Sequence, residues 1–165
     1  MTVSIPSAKK LYARWVDAPL RRRESWVVTF QQLKLELHFD PSKCLGCRAC
    51  QVACAYRFFK VANAKASGIK ILGTPFNAEA NVCKQCLDPK CLEGCGMEAI
   101  YKAGGVVYID YNSCTGCGAC VEACPFGSMN WLEERKLPVK CDLCGGSPAC
   151  VKACPTGALE AVSHG

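Results

Sequence analysis

Cys114, Cys117, Cys120 and Cys124 stand within eleven residues, and Pro125 follows the last of them directly. The same gaps of two, two and three residues separate Cys44, Cys47, Cys50 and Cys54. Cys83, Cys86, Cys91 and Cys95 have four residues in the middle gap, and Cys141, Cys144, Cys150 and Cys154 have five. Every group opens with C-x2-C and closes on a three-residue gap, and the four groups use all 16 cysteines of the 165-residue chain. Reduced thiols repeated at fixed short spacings are metal ligands.

The spacing selects the kind of metal group. An iron–sulfur cube takes four thiolates, one at each iron. Three closely spaced cysteines can wrap one face of a cube through a tight loop whose backbone amides point inward. Small residues allow that approach: Gly116, Gly118 and Ala119 in the third group, Gly46 and Ala49 in the first. In the C-x2-C-x2-C-x3-C-P run the fourth cysteine ligates a different cluster, and the proline turns the chain away without leaving an N–H unpaired. Groups must then occur in pairs, each lending its last cysteine to its partner. Sixteen thiolates suffice for four [4Fe–4S] clusters. A tetrahedral zinc uses two C-x2-C pairs, usually set further apart, and three cysteines within seven residues crowd it.

A disulfide framework requires an oxidising compartment. The opening MTVSIPSAKKLYARW has no apolar core of a secretion signal, and Gln31, Gln32, Lys34 and Glu36 interrupt the stretch after the Arg21-Arg22-Arg23 run where a twin-arginine signal needs one. No run of about 18 apolar residues is present to span a membrane. The expected location is the cytoplasm. The net charge of +6 is uneven, with +4 in residues 1–33. No aromatic-and-basic nucleic-acid motif accompanies it, so nucleic acid is not an expected partner. Half the residues are hydrophobic only because the cysteines are counted among them, so metal centres are expected to supplement a modest apolar core.

Elements that position the cysteines must be short. Leu33, Leu35, Leu37 and Phe39 alternate with polar residues, which predicts a half-buried strand leading into the first group. Val106 to Tyr111 also reads as a strand, after the turn at Gly104-Gly105. CPTGALEAV after the fourth group matches the start of that linker, so a unit of cysteine group, turn and hairpin is expected to recur, with little room for long helices. Residues 55–82 read as an insertion of mixed character, with GIKIL as a short strand. The fold class is α+β: tandem units of short helices and β-hairpins organised around four clusters.

At this point residues 40–160 resemble the four-cluster, bacterial-ferredoxin-like electron-transfer subunits of redox complexes. The matching stretches are CLGCRACQVAC, CTGCGACVEACPFG and KCDLCGGSPACVKACPTGAL. The family includes the small subunits of molybdenum and tungsten oxidoreductases, of formate and dimethyl-sulfoxide-reductase-type enzymes and of some hydrogenases. The chain looks most similar to the iron–sulfur subunit of tungsten-dependent aldehyde oxidoreductase. The resemblance implies a crossed pairing in which Cys44, Cys47, Cys50 and Cys154 hold one cluster and Cys54, Cys141, Cys144 and Cys150 a second. Cys83, Cys86, Cys91 and Cys124 hold a third, and Cys95, Cys114, Cys117 and Cys120 a fourth. Groups one and four then form one lobe of a domain at 34–165, and groups two and three the other. Ala55 and Gly96 depart from the pattern, standing where the other groups have Pro125 and Pro155, and this leaves the local turns open.

The implied function is electron transfer without catalysis. The chain has no catalytic triad and no phosphate-cradling loop. His38 lies on the polar phase of a strand and His164 beside the C-terminus, both expected in solvent. A catalytic oxidoreductase subunit is the implied partner. The alternatives are a free soluble polyferredoxin, or the electron-transfer subunit of a formate dehydrogenase or hydrogenase. Residues 1–33 are expected to be an assembly extension. A helix from Ser7 to Ala18, carrying Leu11, Tyr12, Trp15 and Val16, can dock on the partner, on another copy of this chain, on its own domain or on a membrane surface. Arg48, Lys84, Lys140 and Lys152 lie beside or between cluster cysteines. Each is either a charge that raises a cluster's potential or an ordinary surface charge.

Overall fold

The computed structural model describes residues 34–164, and the expected extension with its Ser7–Ala18 helix lies outside them. The chain begins with strand β1 (Lys34–Phe39), half-buried on its Leu35, Leu37 and Phe39 face as the alternation predicts, with His38 exposed. The side chain of His164 lies outside the described residues. After one 3-10 turn comes helix α1 (Ala49–Phe59), which is 11 residues long. Its buried face carries Cys50, Cys54 and Phe58 at four-residue intervals, with Gln51, Ala55 and Phe59 beside them. The helices of the other groups are single turns: α2 (Lys90–Glu93), α3 (Ala119–Glu122) and α4 (Ala149–Lys152).

The length of α1 corrects the expectation of short helices only, and Ala55 supplies the reason. A proline disfavours helical backbone at the residue before it, so α3 and α4 stop ahead of Cys124-Pro125 and Cys154-Pro155. Ala55 imposes no such stop, and the second group, which also lacks the proline, ends its helix instead at the Gly94 cap, where α1 has Ala53. Helix α1 runs on to Lys60, whose left-handed backbone ends it while its N–H bonds Tyr56 O at 2.9 Å.

Residues 55–82 hold the end of α1, a 3-10 turn (Ala64–Ala66) and an antiparallel hairpin of β2 (Ile69–Thr74), where the GIKIL strand is expected, and β3 (Asn77–Val82). Two more hairpins follow the second and third groups: β4 (Ile100–Ala103) with β5 (Val106–Ile109), and β6 (Asn130–Leu132) with β7 (Leu137–Val139). The fourth group departs from the repeat. Its strand β8 (Leu159–His164) has no hairpin partner of its own and pairs antiparallel with β1, setting Phe39 opposite Leu159. The two ends of the four-group region are thereby joined.

Two hydrophobic cores result. One gathers Cys44, Cys50, Cys54, Cys141 and Cys150 with Phe58, Phe59, Ile69, Ile71 and Leu143. The other gathers Cys91 and Cys120 with Ile100, Val107, Ile109, Tyr111 and Met129. Among the described residues no helix is long and apolar enough to cross a membrane.

Candidate iron–sulfur centres

All four C-x2-C turns place the residue before the second cysteine in left-handed backbone: Gly46 at φ 65°, Gln85 at 49°, Gly116 at 72° and Leu143 at 53°. This is how two thiols so close in sequence come to share one side of a loop. At Gly116 a side chain is excluded outright, because a Cβ would lie 2.2 Å from Lys136 O. The obstruction within the chain is therefore the β6–β7 turn. The second and fourth groups accept the cost of a side chain at this position, of order 1–2 kcal/mol. Leu143 is buried in the core. Gln85 is tied at both ends, its Nε2 donating to Cys141 O at 2.9 Å and its Oε1 accepting from Val107 N at 2.9 Å.

Three cavities are lined by four cysteines each. Cys154 joins Cys44, Cys47 and Cys50 around a space of about 310 Å³. Cys124 joins Cys83, Cys86 and Cys91 around about 380 Å³. Cys95 joins Cys114, Cys117 and Cys120 around about 330 Å³. Of the remaining four, Cys54, Cys141 and Cys150 are buried and Cys144 is half-buried; Cys54 feels the charges of Cys144 and Cys150, and Cys141 those of Cys54 and Cys150. In each set, three cysteines come from one group and one from another.

Four thiols per set match the four thiolates that a [4Fe–4S] cluster takes. Among the described residues no three His, Cys, Asp or Glu side chains converge closely enough to hold one metal ion. Burial pushes the Cys50, Cys54 and Cys120 thiols up to about 12 and Cys150 to about 11. Thiolates are thus unfavourable in these sites unless a resident positive charge offsets the desolvation. Cys154 is the exception. Burial acts upward there too, but hydrogen bonds from Leu159 N–H and from Thr156 outweigh it, and its net shift is downward.

Backbone amides also reach the sulfurs. Gly46 N–H donates to Cys44 Sγ at 3.4 Å and Leu143 N–H to Cys141 Sγ at 3.4 Å. Gly68 N–H donates to Cys54 Sγ at 3.3 Å. Such bonds favour the more negative, reduced state of a cluster. Neither Gly68 nor Gln85 stands out in the sequence. Gly68 lies in the stretch of mixed character after the first group. The detectable signal for Gln85 is its position: the first and third groups carry glycine there.

The four charges beside the cysteines separate sharply. Arg48 and Lys84 are exposed, and Lys152 is exposed with its Nζ bonded to Ser147 Oγ at 2.6 Å. Lys140 is 3% exposed. Its Nζ donates to Val107 O and, at 2.7 Å, to Cys141 O.

Two iron–sulfur family models match the chain. Residues 76–164 match the model of the 4Fe-4S dicluster domain, and residues 37–59 that of a 4Fe-4S binding domain. The chain is 38% identical over 113 residues to the putative electron transport protein YsaA of Escherichia coli, covering 63% of this chain and 72% of that one. It is 35% identical to the electron transport protein HydN of Escherichia coli over 54% of this chain, and spans only 55% of that protein. A chain of the active site complex BamBC of benzoyl coenzyme A reductase aligns at a TM-score of 0.47 and 25% identity, over 79% of this chain and 76% of that one. The matched family model spans more than half of the chain and its cysteines form cluster-sized sets, so the protein belongs to the 4Fe-4S dicluster domain family and carries multiple [4Fe–4S] clusters.

Proposed function

We propose that this chain is a non-catalytic electron-transfer subunit whose sixteen cysteines hold four [4Fe–4S] clusters in series. The observation that carries this is the order of the cysteine sets. Cys50 and Cys54 on α1 link the Cys44/Cys47/Cys50/Cys154 set to the Cys54/Cys141/Cys144/Cys150 set. The side chains of Gln85 and Lys140 bridge that set to Cys83/Cys86/Cys91/Cys124. Cys91 and Cys95, one turn apart, lead on to Cys95/Cys114/Cys117/Cys120. The exposed thiols, Cys47 and Cys117, lie in the first and last sets, where electrons enter and leave. The cofactors supply the redox chemistry, and the chain supplies placement, insulation and tuning.

The catalytic partner in this reading is a tungsten- or molybdenum-dependent aldehyde oxidoreductase, by the resemblance of residues 40–160. Residues 1–33, with most of the net charge, form the segment that docks on that partner or on a second copy of this chain. Anaerobic analysis of the purified protein tests the clusters: about sixteen irons and sixteen sulfides per chain are expected, and iron near eight or stoichiometric zinc rejects the count. Cys154→Ala tests the crossed ligation by perturbing the same spectroscopic centre as Cys44→Ala. Deletion of residues 1–33 is expected to preserve iron while lowering the assembled mass in native mass spectrometry. Identifying the subunit and metal that co-purify with the native chain tests the partner.

A further inference from the structure

A buried ammonium needs a counter-charge or a dense set of acceptors to be tolerated. Lys140, 3% exposed, has two carbonyl acceptors, on Val107 and Cys141, and among the described residues no carboxylate pairs with it. The nearby Asp142 is engaged by Arg57. Cysteines of two sets lie beside Lys140. Lys140 lines the cavity of Cys83, Cys86, Cys91 and Cys124, and its charge acts on the Cys91 thiol. Through Cys141 O it is also bonded to the backbone of a residue in the neighbouring set.

We propose that Lys140 is a fixed cation held between the two inner cysteine sets, and that it raises the reduction potentials of both clusters bound there. This rests on the ligand sets proposed above. A [4Fe–4S] centre with four thiolates is anionic, and taking up one electron from its neighbour in the series adds one unit of negative charge. A cation in the low-dielectric space between two such centres attracts the reduced form more than the oxidised form of each. No bond forms or breaks in this role, and only the electron moves. Gln85 is the positioning residue. It donates to the same Cys141 carbonyl and accepts from Val107 N–H, so both ends of the lysine's cradle are held.

The test is potentiometric titration of the full chain followed by electron paramagnetic resonance, with Cys86→Ser and Cys144→Ser marking the signals of the two inner centres. Lys140→Gln is expected to retain iron and to move those two midpoints negative by at least a tenfold change in the reduction equilibrium, about 59 mV for one electron. The two outer centres are expected to stay in place, and Lys140→Arg to keep all four near their original values. Gln85→Glu sets an opposing charge beside the ammonium and is expected to lower the same two midpoints. It is the deciding measurement if Lys140→Gln fails to hold iron. Gln85→Leu, which removes the hydrogen bonds without adding charge, is expected to move them much less. Unmoved inner midpoints, or an equal shift of all four centres, overturns the proposal while leaving the ligand sets intact. Iron well below about sixteen per chain in the unaltered protein overturns the ligand sets, and this role for Lys140 with them.

Discussion

The backbone N–H of Gly68 donates to Cys54 Sγ at 3.3 Å, between residues 14 positions apart in the chain. The donor stands at the foot of the β2–β3 hairpin and the acceptor in the middle of α1. Gly68 is held there by close packing, because a Cβ at this position would lie 2.6 Å from Lys140 C and 2.7 Å from Cys141 N. Both are backbone atoms with little freedom to move. Gly68→Ala is therefore expected to displace the segment, lose the N–H···S bond and cost about 2–3 kcal/mol. One centre, the one disturbed by Cys54→Ser, is expected to titrate at lower potential. An unchanged midpoint for that centre would show that the bond does not act on it.

Gly116 and Gly118 both have left-handed backbone, at φ 72° and 81°. They differ in their surroundings. A Cβ at Gly116 meets Lys136 O at 2.2 Å, whereas at Gly118 the nearest atom is on the Trp131 ring at 3.9 Å. Gly118→Ala is expected to cost only the conformational term of about 1–2 kcal/mol. Gly116→Ala is expected to cost at least about twice as much and to loosen the β6–β7 hairpin. Comparing the thermal midpoints of the two variants checks this, and equal losses would contradict it.

Asp142 serves two partners. Its Oδ1 accepts from Cys144 N at 2.9 Å and its Oδ2 pairs with Arg57 Nη1 at 3.0 Å. The first contact shapes the fourth C-x2-C turn, and the second ties that turn to α1. Asp142→Ala is expected to cost about 2 kcal/mol, discounted because Arg57 remains partly exposed. Asp142→Asn keeps an acceptor for Cys144 N–H and is expected to lose less. The rate of iron release on heating is the readout, and the alanine variant is expected to be roughly 30-fold faster if the whole effect falls on the opening step. Equal rates for the two variants would mean that the turn contact contributes nothing.

Iron removal is expected to dismantle the fold. Cys44, Cys50, Cys54, Cys141 and Cys150 belong to one core and Cys91 and Cys120 to the other. Without iron, neutral thiols would line the three cavities with no cluster to hold them together. Folding and metal binding are therefore coupled. Far-UV and near-UV circular dichroism should fall together as a chelator strips the clusters. An iron-free chain with an unchanged cooperative thermal transition would refute the coupling.

Much of the metal chemistry was legible in the residues themselves because it is local. A C-x2-C turn needs one left-handed residue, and glycine at Gly46 and Gly116 announces it. The half-buried alternation of Leu35, Leu37 and Phe39 followed from a period of two. Even the length of α1 is encoded locally, in Ala55 standing where the third and fourth groups have proline, although the sequence alone does not say which way the chain then runs. What remained hidden depends on contacts between distant segments. β8 looked like half of another hairpin, and only the tertiary structure pairs it with β1. β3, with its run of Asn77, Ala78, Glu79 and Ala80, carries little strand propensity of its own and is held by pairing with β2. Arg48, Lys84, Lys140 and Lys152 are equivalent as sequence, each a positive charge beside or between cysteines. Burial is a property of what packs around a residue. Only the fold decided that Lys140 is enclosed between Val107 and Cys141 while the other three face water.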